Sequence, residues 1–340
     1  MASLFRSTIC IEAKQTMFKI LANTKVSRQT RFNFSTPGLP DLEMLVAEAD
    51  SSQLACKVSG QGNPMMLLHG YGGNRNSWSC MIENLVDNHR IYAMDLKGFG
   101  KSAKPADYQY SIYHQAALII RYMMDNHVWA IDIMAHSYGG AVALVVALYF
   151  QRYSPKRIGK LILINGISYE QKMPWFVKVA SIPLIGETLQ RSLPSQWQVE
   201  QILRDIFYDT AQIDARLVEK YAPQMKMPGA LHALTHTARQ VKPVDMAELG
   251  RRYTTIQNRT LILASLKDKV VPLENNCRLS KEMPNSEIHF IDDCGHAPQE
   301  ECISRIIPVI RSFLNQGTFT EPHCSTMLDK AEYQPLETRQ

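Results

Sequence analysis

Short apolar runs recur along this chain, each closed by a glycine or a polar residue and separated from the next by helically spaced stretches. Met65–His69, Ile91–Asp95, Val128–Met134, Lys160–Asn165, Thr260–Ala264 and Glu287–Ile291 are brief and rich in branched or apolar side chains, as buried strands are. Between them, Trp78–Val86, Ile112–Asn126, Gly140–Leu148 and Cys302–Leu314 carry apolar residues at helical intervals. Leu42–Glu48 and Leu54–Ser59 read as an opening hairpin, with Gly60 and Gly62 turning the chain toward the Met65 run. Alternating strands and helices predict an α/β sheet. The alternation stops between Asn165 and Asn258, where no convincing strand occurs. That stretch instead shows helical spacing at Val199, Ile202, Leu203 and Ile206, several prolines, and the aromatics Trp175, Phe176, Trp197, Phe207 and Tyr208. A long helical insertion is expected there, with most of its aromatics packed against one another.

The chemistry concentrates where the Val128–Met134 run meets the Gly140 helix, at Ala135-His136-Ser137-Tyr138-Gly139. A serine between small residues at a strand-to-helix junction has the form of a nucleophile elbow. The turn is too tight for bulky flanking side chains, and the helix N-terminus behind the hydroxyl favours developing negative charge. The usual first flanking glycine is Ala135 here, a departure of one methyl group. A serine that merely caps a core helix would look similar.

Three more segments narrow the choice. Met65–Leu68 runs into His69-Gly70-Tyr71-Gly72-Gly73, Arg90–Leu96 into Lys97-Gly98-Phe99-Gly100-Lys101-Ser102, and Ile288–Cys294 into Gly295-His296. With the elbow, these resemble in order the α/β-hydrolase family with the short "HG" oxyanion loop, over about residues 42–315. The resemblance implies an open, mostly parallel eight-stranded sheet flanked by helices, with a helical cap inserted after strand 6. Residues 41–165 and 258–315 would form that core and 166–257 the cap. It also implies a Ser…Asp…His order. His296, past a strand end and freed by Gly295, is the expected base for Ser137. Asp268, in Lys267-Asp268-Lys269-Val270-Val271-Pro272 directly after the Thr260 strand, is the expected partner of that base, although Ser265 stands where relatives usually have glycine. Asp292 and Asp293 are too near His296 in sequence to reach back onto its ring, and Asn165, at the alternative acid position, carries no charge. The resemblance assigns the oxyanion donors to the backbone amides of Tyr71 and Tyr138. His69 would be structural, His136 would flank the elbow, and Gly70, Gly72, His136 and Trp175 would face substrate. The Tyr71 side chain would be free to line the pocket.

Charge distribution refines this picture. The net charge is +5, but residues 1–40 hold six basic residues against Glu12 alone. Taking these from the totals of 37 and 32 leaves 31 basic and 31 acidic residues, so the body is neutral and gives no reason to expect nucleic acid. The acid-poor, serine- and threonine-rich leader resembles a mitochondrial or plastid transit peptide, and a disordered extension reads equally well. The protein is expected to be intracellular and soluble, in an organelle if the leader is a transit peptide and otherwise cytoplasmic. Residues 316–340 lack apolar periodicity and read as a flexible tail. No run is apolar enough for a signal core or a membrane span. Seven scattered cysteines without C-x-x-C pairs read as ordinary thiols, with neither a disulfide framework nor zinc spacing. No metal or cofactor is expected.

These observations point to a serine hydrolase cleaving a carboxylic ester, or a related thioester, through an acyl-enzyme on Ser137. The neutral body and apolar insertion suggest an uncharged or lipid-like small-molecule substrate. Aspartate-nucleophile chemistry on epoxides or halides is disfavoured by the serine. Carbon–carbon bond hydrolysis on the same three side chains is the alternative. It would need a carboxylate-binding arginine, for which Arg191, Arg204, Arg216 and Arg239 are available. A catalytically silent, ligand-binding member is a third reading, though such proteins typically lack a triad residue.

Overall fold

The computed structural model describes residues 42–182 and 190–315. The leader at 1–40 and the tail at 316–340 lie outside them, as do the expectations attached to both.

Seven strands form one sheet: β1 (Ala55–Ser59), β2 (Asn63–Leu68), β3 (His89–Asp95), β4 (Ile131–His136), β5 (Ile158–Ile164), β6 (Thr260–Ser265) and β7 (Ser286–Ile291). Their order is β1-β3-β2-β4-β5-β6-β7, with β1 antiparallel to β3 and every other pairing parallel. Residue alternation along each central strand feeds two cores. Met66 and Leu68 of β2 join one cluster, with Ile133 and Ala135 of β4; Met65 and Leu67 join the opposite one, with Met134. The first cluster is roofed by α1 (Leu42–Glu48), α3 (Ile112–Asp125) and α4 (Tyr138–Tyr153), and the second by α2 (Ser79–Leu85) and α12 (Ile303–Asn315).

Two expectations change here. Leu42–Glu48 is a helix rather than the first arm of a hairpin, because Leu42, Leu45, Val46 and Ala49 recur at helical spacing and pack on the first cluster. With that strand gone, the described residues hold seven strands instead of eight. The insertion therefore follows the fifth strand of this chain and not the sixth. The β4 strand also starts later than its apolar run, since His127 and Ala130 turn with φ of 51° and 50°.

Between β5 and β6 every described regular element is helical: α5 (Trp175–Ser181), α6 (Ser195–Ile206), α7 (Ala215–Tyr221), α8 (Ala230–Gln240) and α9 (Met246–Arg252), with short 3-10 turns. The α6–α7 part has a core of its own, with Val199, Leu203, Phe207, Val218 and Ala222 packed together. Phe207 packs there as expected, whereas Tyr208 is exposed. After β6 come α10 (Leu273–Glu282) and, beyond β7, the single-turn α11 (Pro298–Glu301). Cys294 and Cys302, expected to be separate thiols, are joined as a disulfide; the turn through α11 brings their Cα atoms to 6.4 Å. Two isolated cysteines eight residues apart gave no sequence signal of pairing. Among the described residues no helix is long and apolar enough to cross a membrane.

Candidate active site

The C-terminal ends of the central parallel strands converge on Ser137. It occupies φ 52°, ψ −117°, a conformation that costs a non-glycine residue about 1–3 kcal/mol and survives only where surroundings enforce it. Here they do. The Ser137 amide donates to the Ile164 carbonyl at 3.1 Å, and the Ser137 carbonyl accepts from Gly140 and Ile167 at 2.9 and 3.0 Å. Gly139 makes the turn possible, since a Cβ there would stand 2.4 Å from the Leu68 carbonyl oxygen.

His296 meets this hydroxyl. Its Nε2 lies 2.8 Å from Ser137 Oγ, and its Nδ1 lies 2.8 Å from Asp268 Oδ2. All three groups are buried, with the Asp268 side chain only 2% exposed. Because the carboxylate can only accept, Nδ1 carries the proton and Nε2 is left to accept from the serine hydroxyl. The other oxygen of Asp268 accepts from the amides of Val270 and Val271 at 2.7 and 3.1 Å, which fixes the carboxylate plane. Asp292 and Asp293 play no part in this relay; their carbonyls accept from the Arg305 guanidinium.

His296 is also held through its backbone. Its carbonyl accepts from His136 Nε2 at 2.8 Å and from Asn165 Nδ2 at 3.0 Å. Asn165 adopts φ 44° and is completely buried. Its amide nitrogen also donates to Ser265 Oγ at 3.0 Å, and its oxygen accepts from the Ser265 amide at 2.9 Å. A serine at 265 thus supplies an acceptor that glycine could not. At the alternative acid position, where no charge is available, Asn165 acts instead through its amide. Its capacity to donate and accept at once was the signal that could have found it. Burial and the neighbouring His296 imidazole push the His136 ring well below the ordinary histidine range, so it stays neutral.

The expected oxyanion loop abuts the serine, for a Cβ on Gly70 would lie 3.1 Å from Ser137 Cβ. His69 shapes this loop, donating from Nδ1 to the Gly70 carbonyl and accepting the Leu96 amide at Nε2. Burial lowers its pKa too. The Tyr138 amide opens α4, where helical N–H groups lack intrahelical partners. The insertion grips the same loop. Tyr71 donates its phenol proton to the Leu234 carbonyl at 3.0 Å, and Gln224 Nε2 donates to the Gly72 carbonyl at 2.6 Å. The Tyr71 ring is thus anchored rather than free. Trp175, expected to face substrate, donates its indole N–H to Asp205 of the insertion.

A serine hydroxyl, a tautomer-locked imidazole and a buried carboxylate in line, beside a glycine loop, can activate an oxygen nucleophile against a carbonyl carbon. The family model described as alpha/beta hydrolase fold matches residues 63–301. The chain belongs to this family. Relatives of this alpha/beta hydrolase include a 2-hydroxy-6-oxo-2,4-heptadienoate hydrolase of Pseudomonas putida, 26% identical over 274 residues that span 75% of the chain and 90% of that protein. A 2-hydroxy-6-oxo-6-phenylhexa-2,4-dienoate hydrolase of Burkholderia cepacia is 29% identical over 272 residues, 76% of the chain and 90% of that protein. A solved meta-cleavage product hydrolase from Pseudomonas fluorescens IP01 shares the fold, with a TM-score of 0.66 and 22% identity over 78% of this chain and 95% of its own.

Proposed function

We propose that this hydrolase cleaves a carboxylic ester of an apolar, uncharged acyl group through an acyl-enzyme on Ser137. The observation that carries the reading is the Ser137–His296–Asp268 relay lying against the Gly70 loop. His296 takes the hydroxyl proton as Oγ bonds to the substrate carbonyl carbon, and the amides of Tyr71 and Tyr138 receive the resulting oxyanion. Collapse breaks the carbon–oxygen bond, and the alcohol leaves with the proton from His296. A water then attacks the acyl carbon while His296 again accepts and returns a proton, which frees the acid and Ser137. Asp268 holds the tautomer and steadies the imidazolium. No step needs a metal or cofactor.

The helical insertion acts as a cap over this centre. Ile167 and Leu234, both apolar, lie beside the Ser137 turn and the Gly72 loop. The four arginines that could bind a substrate carboxylate support an uncharged substrate: Arg191, Arg216 and Arg239 are exposed, and the Arg204 side chain is 48% exposed and paired with Glu200.

A second reading is carbon–carbon bond hydrolysis of a 2-hydroxy-6-oxo-dienoate, favoured by the names of the two relatives above. One panel separates the two: p-nitrophenyl esters of increasing acyl length, an acyl thioester and such a dienoate, offered to the full chain. Ester turnover, with fluorophosphonate labelling that disappears in Ser137→Ala, is the expected result. Turnover of the dienoate alone would overturn the ester reading, and a well-folded protein that resists the label would overturn both.

A further inference from the structure

Glu301 sits five residues beyond His296 in the single-turn helix α11, and its carboxylate accepts from three peptide amides beside the Cys294 sulfur. One oxygen accepts from Gly295 at 2.7 Å; the other accepts from Tyr208 and Asp209 at 2.8 and 2.7 Å. The first amide precedes the proposed base, whereas the other two belong to the helical insertion just past α6. Burying a carboxylate is costly unless its lone pairs are filled, and here three amides fill them in a residue only 8% exposed.

Contacts around this carboxylate join the same two segments. The His296 amide donates to the Ile206 carbonyl at 2.6 Å. A Cβ on Gly295 would meet that carbonyl oxygen at 2.3 Å and the Tyr208 nitrogen at 2.5 Å, so only glycine lets the strands of chain approach this closely. Ala297, on the far side of the base, packs into the insertion's own core with Phe207. Residues 295–297 therefore meet residues 206–209 directly, through the His296 amide and the close approach at Gly295, while His136 and Asn165 grip the His296 carbonyl from the other side.

We propose that Glu301 is a positioning residue that latches the helical insertion to the loop carrying His296, so that the imidazole is in register with Ser137 only while the insertion is docked. The inference rests on the hydrolase reading for its effect on turnover, but the latch itself is structural. Moving the insertion away at Ile206–Asp209 would draw the base loop along. A glutamine at 301 keeps one accepting oxygen and aims an N–H at the other set of donors, which opens one half of the latch whichever way it turns.

Hydrogen exchange on the full chain tests this without reference to any substrate. In the wild type the amides of Gly295, Tyr208 and Asp209 should open together, with a common protection. Glu301→Gln should speed exchange of both segments by about tenfold or more while β4 and β5 keep theirs, and Glu274→Gln, at an exposed site on α10, should change neither. On the substrate identified by the panel, kcat of Glu301→Gln should fall about a hundredfold with KM nearly constant, the signature of a misplaced catalytic group. Different protection of Gly295 and the Tyr208–Asp209 pair in the wild type, which can be read even if the variant fails to fold, would overturn the latch. So would a folded Glu301→Gln with unchanged exchange or unchanged kcat. A wild type that turns over nothing in the panel would remove the hydrolase reading and leave the exchange result to judge the latch.

Discussion

The side-chain amide of Asn165 donates to the peptide carbonyl of His296 at 3.0 Å, so the residue just past β5 holds the proposed base from behind its ring. The same amide reaches the Gly295 carbonyl at 3.3 Å. Asn165→Asp would turn a donor into an acceptor facing two carbonyl oxygens. Leaving such buried groups unpaired costs about 1–3 kcal/mol. The added negative charge would also favour the imidazolium of His296. The acid limb of the kcat/KM profile should therefore move to higher pH, with kcat reduced. An unmoved limb at normal kcat would remove Asn165 from the positioning of the base.

Gly139 offers a sharper steric test. An added Cβ would lie 2.4 Å from the Leu68 carbonyl oxygen and 2.7 Å from that of His69, both backbone atoms of the strand leading to the oxyanion loop. Gly139→Ala should cost about 1–3 kcal/mol in urea unfolding, as overpacking in a rigid site does. It should slow turnover more than stability loss alone explains, because the displaced loop carries the Tyr71 amide. Wild-type rates in this variant would show that the loop yields freely.

Acid should destabilise the fold through two buried rings. Burial lowers the pKa of both His136 and His69 in the folded state. The unfolded chain therefore takes up protons first as pH falls below about 6.5, and stability drops with it. Each ring contributes a slope of about 1.4 kcal/mol per pH unit until its own folded-state pKa is reached. Urea midpoints measured from pH 7.5 downward should fall, and His136→Gln should lessen that slope. A pH-independent midpoint would mean that both rings take up protons in the folded protein as readily as in the unfolded chain.

Substrate charge can be read from the insertion arginines. Alanine at Arg204, Arg216 or Arg239 should leave ester turnover within about twofold, as exposed substitutions usually do. A large rise in KM for a carboxylate-bearing substrate in any of them would favour the dienoate reading.

Much of the site was legible because its signals are local. Ser137, Asp268 and His296 each follow a strand whose apolar run ends in a tell-tale turn, and chain order supplied the pairing. The remainder depends on contacts between residues far apart in sequence. Leu42–Glu48 was ambiguous since its apolar residues satisfy both a strand and a helix, and only packing on the first cluster decides. The Cys294–Cys302 bond needed the turn through α11. Asn165, Gln224 and Glu301 carry no motif of their own; each acts largely on backbone groups, and peptide groups leave no trace in side-chain pattern.

The insertion leaves the sheet after β5 and returns at β6, two neighbours in the same parallel array. One unbroken stretch of the gene could accordingly be exchanged for another, refitting the enzyme to a new substrate without rethreading the open sheet beneath. Any transplant would have to bring its own paired peptide protons for Glu301 and its own carbonyl for His296, or the graft would fold and fail to work.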